Sequence, residues 1–347
     1  LDWTESTAFA TRTCSARKIT QPHSQVPTYT CGFLKTHRHG ITVVGRHYCK
    51  NAPSHPHFPL GSLIENSPEN ENSPEERLLS WFDGVSACAV ALSGGVDSAV
   101  VATAAQRTLG SGALAVTAVS PSLAAEERQR ARDTAEQIGI RHLELTTDEY
   151  SKAAYRQNGP DRCFHCKSTL YQTAREQLGD SLLLVNGTNL DDEGDYRPGM
   201  QAAVEFGVRS PLLECQFSKE RVRQLAKLWH LEVWDKPASP CLSSRIAYGV
   251  EVTRERLGMV EQSEQLLREL GFGPHRVRLH AGELARLEIQ SDDFQRLLDA
   301  EFRDHLDRQL KEIGFRFVAV EMSPFRSGSL NQLIELNVTG NGVERRS

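Results

Sequence analysis

Two sets of residues in this 347-residue chain have the types and spacing of working chemistry. The first is Ser93-Gly94-Gly95-Val96-Asp97-Ser98, set between a continuous apolar run and a helical pattern. Glycines let a backbone come close to an anion, and the amides at a helix start point at it. Ser93 and Ser98 add hydroxyl donors, while Asp97 can hold a magnesium ion or orient the loop. The same string also suits a plain strand-to-helix turn with capping serines. The second set is Cys163-x-x-Cys166 followed by Lys167, with Cys241 far along the chain in the proline-flanked stretch from Pro237 to Arg245. Two thiols three apart can reach one metal or cluster, and they equally describe buried cysteines or a redox-active pair.

The elements that must position these groups follow from hydrophobic period. The polar, acidic stretch from Asn66 to Pro74 reads as a linker, and Glu75 to Phe82 as a short amphipathic helix. Ala87 to Leu92 has the length of a buried parallel strand, and 98–109 is a helix stopped by Gly110. Ala113 to Val119 is a second strand, Glu126 to Ile138 a helix closed by Gly139, and His142 to Leu145 a third strand. A helix at 167–178 leads to a fourth strand, Leu182 to Val185. Such alternation implies right-handed crossovers and an α/β, doubly wound parallel sheet with its ligand site at the carboxyl ends of the strands. Beyond Cys241 the pattern changes: Thr253 caps a helix over 254–270, His275 to His280 and Leu284 to Ile289 form a hairpin, Ser291 caps a second long helix, and Phe315 to Met322 is a last strand. The expected organisation is a disordered leader and linker at 1–74, a main domain at 75–248, a smaller C-terminal α+β domain at 249–325 and a tail at 326–347.

In this setting Ser93 to Ser98 resembles the PP-loop of the ATP pyrophosphatase superfamily, and it lacks the Lys-Ser/Thr ending of a Walker A loop. The resemblance implies cleavage of ATP between its α and β phosphates: a substrate oxygen is adenylated, pyrophosphate leaves, and a nucleophile displaces AMP. It makes Ser93, Gly94, Gly95, Asp97 and Ser98 ATP-binding, with Mg2+ at Asp97 and with Ser120 where the superfamily holds adenine and ribose. A longer series is similar to the LarE family: Cys163-x-x-Cys166-Lys167, Gly187 to Asp192 with Asp195 to Gly199, Ser210-Pro211-Leu212, Pro240 to Arg245, and the pair Arg276 to His280 with Leu284 to Glu288. These ATP-dependent sulfur transferases help make the nickel-pincer nucleotide cofactor of lactate racemase.

That resemblance implies adenylation of a carboxylate of a pyridinium biscarboxylic acid mononucleotide, after which sulfur replaces AMP to give a thiocarboxylate. In the family's single-cysteine branch the residue matching Cys241 gives up its sulfur and becomes dehydroalanine. Having Cys163 and Cys166 as well, this chain resembles the three-cysteine branch, in which the thiolates hold a four-iron four-sulfur cluster; Cys241 is then catalytic as well as a ligand. Arg197, Arg245 and Arg278 are candidate forks for substrate phosphate or carboxylate, whereas Arg276 is expected in solvent. Asp191, Asp192 and Glu288 are candidate magnesium or second-metal carboxylates, with surface ion pairing as the other reading. A homo-oligomer assembled through the C-terminal region is also implied.

Charge and composition set limits on these readings. Residues 1–62 hold seven Lys/Arg against two acids, half of the twelve His and three of the eight Cys, and no amphipathic period, so they read as a basic, dispensable leader. A zinc site among Cys14, Cys31, Cys49 and the nearby His residues fits no compact finger spacing. Leu1 in place of an initiator Met reads as a fragment or a misplaced start, and no secretory signal pattern follows it. The remaining body carries 33 basic against 43 acidic groups, net −10, which argues against a nucleic-acid partner and against a tRNA thiolase. Residues 1–62 are too few for the amidotransferase module of a GMP synthetase. No apolar run approaches the ~20 residues that span a bilayer, so a cytoplasmic enzyme is expected. A non-catalytic nucleotide- or cluster-binding accessory protein is the rival from another class, and it would bind ATP without releasing pyrophosphate.

Overall fold

The structure, a computed structural model, describes residues 73–192 and 198–326. The expected leader, its cysteines, the tail and Arg197 lie outside the described residues. Ser73 opens the first described helix with a reciprocal cap: its hydroxyl accepts the Glu76 amide at 3.2 Å, and the Glu76 carboxylate accepts the Ser73 N–H at 2.8 Å. Helix α1 (Pro74–Ser80) then leads to strand β1 (Cys88–Ala91), α2 (Val96–Leu109), β2 (Ala113–Val119), α3 (Ala125–Ile138) and β3 (Arg141–Thr146). After the short α4 (Ala153–Arg156) come α5 (Arg162–Leu178) and β4 (Leu183–Val185). The four strands form one parallel sheet in the order β3-β2-β1-β4.

The sheet is buried on both faces because its central strand is small and apolar on both. Cys88 and Val90 of β1 pack into one core cluster with Val100, Val101 and Leu225, while Ala89 faces a second with Leu145, Leu170 and Leu184. Alanines at 99, 102 and 105 bring α2 close to the sheet, and Gly110, at φ 54°, ends it. Chain order runs outward from β1 through β2 to β3 and then returns to β4 on the other side of β1. The crevice between β1 and β4 is therefore the switch point at which such sheets bind ligands.

Beyond β4 lie α6 (Pro198–Glu205), α7 (Pro211–Glu214), α8 (Lys219–Leu228), α9 (Arg254–Glu269), the antiparallel pair β5 (Arg276–His280) and β6 (Leu284–Glu288), then α10 (Ala300–Ile313) and β7 (Phe317–Val320). β7 joins β6 in parallel, giving a three-stranded sheet in the order β5-β6-β7. The described residues form one compact unit. Its third core cluster gathers Leu257, Leu267, Val277, Leu279, Leu287 and Leu310 together with Leu242 and Ile246, so the segment after Cys241 is anchored in the second sheet's core. No helix among the described residues is long and apolar enough to cross a membrane.

Three sequence expectations need correction. α5 begins at Arg162 and not at 167, so Cys163 and Cys166 lie within its first turns, three apart on one face. Weak helix formers at 163–165 hide that start. Ser291 does not cap a long helix: residues Ser291–Leu298 form a 3-10 segment, and α10 is capped by Asp299, whose Oδ1 accepts the Phe302 amide at 3.0 Å. Arg276, expected in solvent, is half-buried beneath the Phe325 ring at 5.1 Å, and burial lowers its pKa.

Candidate active site

All four carboxyl ends of the parallel sheet contribute to one mouth. β1 runs into the Ser93–Ser98 loop, β2 into Ser120 and Ser122, β3 into a turn carrying Glu149, and β4 into Asn186 and Gly187. Gly94 sits at φ 72°, where an added Cβ would meet the Ala131 backbone nitrogen at 3.2 Å. The loop is closed by its serines: the Ser93 amide donates to Ser98 Oγ at 3.2 Å, the two hydroxyls stand 3.2 Å apart, and Ser98 Oγ donates to the Gly95 carbonyl at 3.0 Å. The first-turn N–H groups of α2 have no acceptor within the helix, so the loop offers donors to an anion.

The segment after β4 packs directly on this loop. A Cβ at Gly187 would stand 2.7 Å from the Ser98 nitrogen and 2.9 Å from the Asp97 carbonyl carbon, both backbone atoms. Gly187→Ala is expected to force the two segments apart, costing about 1–3 kcal/mol and weakening ATP binding. Melting and nucleotide titration of the purified variant check this, and wild-type values for both would contradict the packing.

Two residues beyond Gly187, Asn189 is 2% exposed and donates through Nδ2 to Asp97 Oδ1 at 2.9 Å. The other oxygen of Asp97 is ion-paired with Lys219. Asp191 accepts the Lys219 amide at the start of α8, and Asp192 accepts the Asn189 amide at 3.0 Å. Lys236 donates to the Gly94 carbonyl at 3.1 Å and to Glu127 at 2.5 Å. Lys219 and Lys236 were not singled out by sequence reasoning, because isolated lysines in polar stretches carry no signal. Their role emerges only when α8 and the 3-10 turn Glu232–Asp235 bring them to the loop.

Ser120 and Ser122 both donate to Glu149 Oε1, at 2.5 and 3.1 Å, and Glu149 is 2% exposed with no hydrogen-bond partner for Oε2 among the described residues. Glu149 was likewise not expected. The Ser122 carbonyl accepts the Leu242 amide at 2.9 Å, which ties the thiol segment to the β2 loop.

Cys241 is exposed and N-caps the 3-10 turn Leu242–Arg245. Tyr155 Oη lies 2.6 Å from Ser243 Oγ, and Arg162 donates to the Ser243 carbonyl at 2.9 Å. Asn158, in the left-handed region at φ 56°, clamps the same stretch by donating to the Ile246, Ala247 and Val250 carbonyls at 3.2, 2.9 and 3.0 Å. Cys163 is exposed and Cys166 half-buried. Burial raises the Cys166 pKa, the charges of Glu149 and Cys241 add to the rise, and Lys167 opposes it. Burial also pulls on Lys167 and Arg162, yet both keep raised pKa values: Tyr171 and the three thiols hold Lys167 charged, and Cys241 and Cys163 do so most for Arg162. The three thiols thus share one electrostatic neighbourhood with two cations. Among the described residues no three His, Cys, Asp or Glu side chains converge to hold a single metal ion.

Arg245, 4% exposed, is bound to both Glu264 oxygens at 3.1 and 3.3 Å and to the Cys241 carbonyl at 2.9 Å. Arg278, 5% exposed, pairs with Glu288 at 3.0 Å and donates to the Ser244 carbonyl at 3.1 Å, and Glu288 also meets Arg286 at 3.2 Å. These guanidinium groups brace the thiol segment, and Glu288 is embraced by arginines.

A parallel sheet whose first strand feeds a Ser-Gly-Gly-Val-Asp-Ser loop into a helix, with the other strand ends arrayed around it, defines an adenylating enzyme of the PP-loop class. In agreement, the asparagine synthase family model matches residues 85–161. The chain is 37% identical over 248 residues, 71% of its own length and 89% of the other, to the pyridinium-3,5-bisthiocarboxylic acid mononucleotide synthase of Lactiplantibacillus plantarum. It is 42% identical over 262 residues to an uncharacterized protein of Synechocystis, covering 75% of this chain and 97% of that one. An uncharacterized protein of Methanocaldococcus jannaschii is 30% identical over 172 residues, 49% of this chain and 66% of that protein. The chain belongs to the LarE family.

Proposed function

We propose that this protein adenylates a carboxylate of a pyridinium biscarboxylic acid mononucleotide at the expense of ATP and then replaces the adenylate with sulfur, yielding a thiocarboxylate for nickel-pincer nucleotide synthesis. The observation that carries this reading is the junction at Ser122, whose hydroxyl joins Glu149 in the nucleotide mouth and whose carbonyl binds the residue next to Cys241. The amides and hydroxyls of Ser93 to Ser98 receive the pyrophosphate portion of ATP, and Ser120 faces the nucleoside. Asp97 fits a magnesium ion bound together with phosphates, since it is a carboxylate at the phosphate loop. A substrate carboxylate oxygen attacks the α phosphorus, and the bond from that phosphorus to the β-bridging oxygen breaks. A sulfur nucleophile then attacks the acyl carbon, and AMP leaves with the carbon–oxygen bond.

Cys163, Cys166 and Cys241 fit a four-iron four-sulfur cluster by donor type, because thiolates are the ligands such clusters prefer and Arg162 and Lys167 offset their charge. With three thiolates as its protein ligands, such a cluster would supply a site for a sulfide to be delivered. Arg245 and Arg278 serve by fixing the carbonyls of Cys241 and Ser244, while Arg197 remains the fork for the substrate's phosphate or carboxylate. A second delivery route is favoured by the exposure of Cys241: its own thiolate attacks the acyl adenylate and AMP leaves, giving a thioester; loss of the Cα proton then breaks the Cβ–S bond, releasing the thiocarboxylate and leaving dehydroalanine. A cytoplasmic homo-oligomer is part of the same reading. The test is exchange of labelled pyrophosphate into ATP. Exchange that requires the pyridinium dicarboxylate is expected, and release of ADP and phosphate would contradict adenylation.

A further inference from the structure

We infer that Lys219 is the mobile cation of the nucleotide site: it neutralises Asp97 while the loop is empty and transfers to the β and γ phosphates when ATP–Mg2+ arrives. The inference rests on the loop reading above and extends it to a residue outside the loop. Asp97 is a carboxylate in the first turn of α2, the place where the helix dipole and its amides would receive phosphate. An unpaired carboxylate there would repel an incoming polyphosphate. In this structure the Lys219 ammonium neutralises it, and the Asn189 amide donates a hydrogen bond to its other oxygen.

Of the two lysines at the loop, only Lys219 is placed to change partners. Lys236 is 10% exposed and is committed to Glu127, 13% exposed, and to the Gly94 carbonyl, so it belongs to the loop's scaffold. The Lys219 side chain is 37% exposed and, among the described residues, its one carboxylate partner is Asp97. Its backbone, by contrast, is fixed: Ser218 caps α8 by accepting the Arg221 amide, and Asp191 accepts the amide of Lys219 itself. A single stretch, Asn189 to Asp192, therefore sets one partner of Asp97 directly and the helix bearing the other. A fixed base with an exposed ammonium at the loop is the arrangement of a swinging phosphate contact. When Lys219 leaves, Asp97 is released to the magnesium ion that accompanies the nucleotide, so neither Asp97 nor the incoming phosphates is left without a cation.

The test compares the binding of α,β-methylene-ATP and of AMP, with Mg2+, by calorimetry in wild type, Lys219→Met and Lys219→Arg. Wild type is expected to prefer the triphosphate analogue. Lys219→Met should lose about ten- to a hundredfold of affinity for it while AMP binding stays within about twofold, and Lys219→Arg should retain most of the preference. Amine acylation of the wild-type protein supplies a reading that needs no variant: Lys219 should be protected by the analogue and not by AMP. A folded Lys219→Met variant that keeps the wild-type preference, or unchanged acylation under the analogue, overturns the inference alone. Wild type that binds the two nucleotides equally overturns the loop reading and this inference together.

Discussion

Asp97→Ala is expected to lower substrate-dependent pyrophosphate release by roughly 10²- to 10³-fold, a loss of about 3–4 kcal/mol of transition-state stabilisation. The change removes the one carboxylate of the Ser93–Ser98 loop, and with it the group proposed to hold magnesium against the phosphates. The fold should survive. Asp97 is tied to Asn189 and Lys219 at the rim of the sheet and not in its core, so lost hydrogen bonding of about 1 kcal/mol should lower the melting temperature by only a few degrees. Rapid-quench measurement of pyrophosphate beside a melting curve separates the two effects. Near-wild-type release in a folded variant would remove Asp97 from the chemistry.

Cys241→Ala has the second large effect, and it falls on the other half-reaction. In the proposed reaction adenylation uses the sheet mouth and sulfur delivery by either route uses Cys241, so pyrophosphate exchange should persist within a fewfold while thiocarboxylate formation disappears. Cys163→Ala and Cys166→Ala divide the routes. If the three thiols hold a cluster, each change strips or destabilises the iron and stops repeated turnover on sulfide. If Cys241 surrenders its own sulfur, both variants still complete one round, and the protein loses the mass of hydrogen sulfide at position 241. The positions of the thiols suit this division: Cys163 and Cys241 are exposed, while Cys166 packs against the core of the β5–β6–β7 sheet with a pKa raised by burial.

Much of this was legible in the residues because it is written in local signals. The strands Ala113–Val119 and Leu183–Val185, the glycine stops at 110 and 139, and the Thr253 cap all obey short-range rules, and the structure has them within a residue or so of their expected places. The early start of α5 was hidden because cysteine, histidine and phenylalanine are indifferent helix formers. Lys219, Lys236 and Glu149 escaped for a different reason: each reaches the site through tertiary packing, 122, 142 and 29 residues along the chain from its partner. Arg245 and Arg278 teach the reverse lesson. Their sequence context matches a ligand fork, yet buried carboxylates and carbonyls of the protein engage them, since a buried guanidinium needs partners at home.

In the proposed reaction, ATP is cleaved and sulfur is inserted at one and the same substrate carboxylate. This coupling is tested most directly by anaerobic incubation of the purified protein with ATP, Mg2+, sulfide and pyridinium-3,5-biscarboxylic acid mononucleotide, followed by mass spectrometry of the nucleotide product alongside quantitation of AMP and pyrophosphate. The account predicts that a carboxylate oxygen is replaced by sulfur, with one AMP and one pyrophosphate formed for each sulfur inserted. AMP and pyrophosphate accumulating beside an unaltered dicarboxylate, or a product carrying nitrogen in place of sulfur, would contradict it.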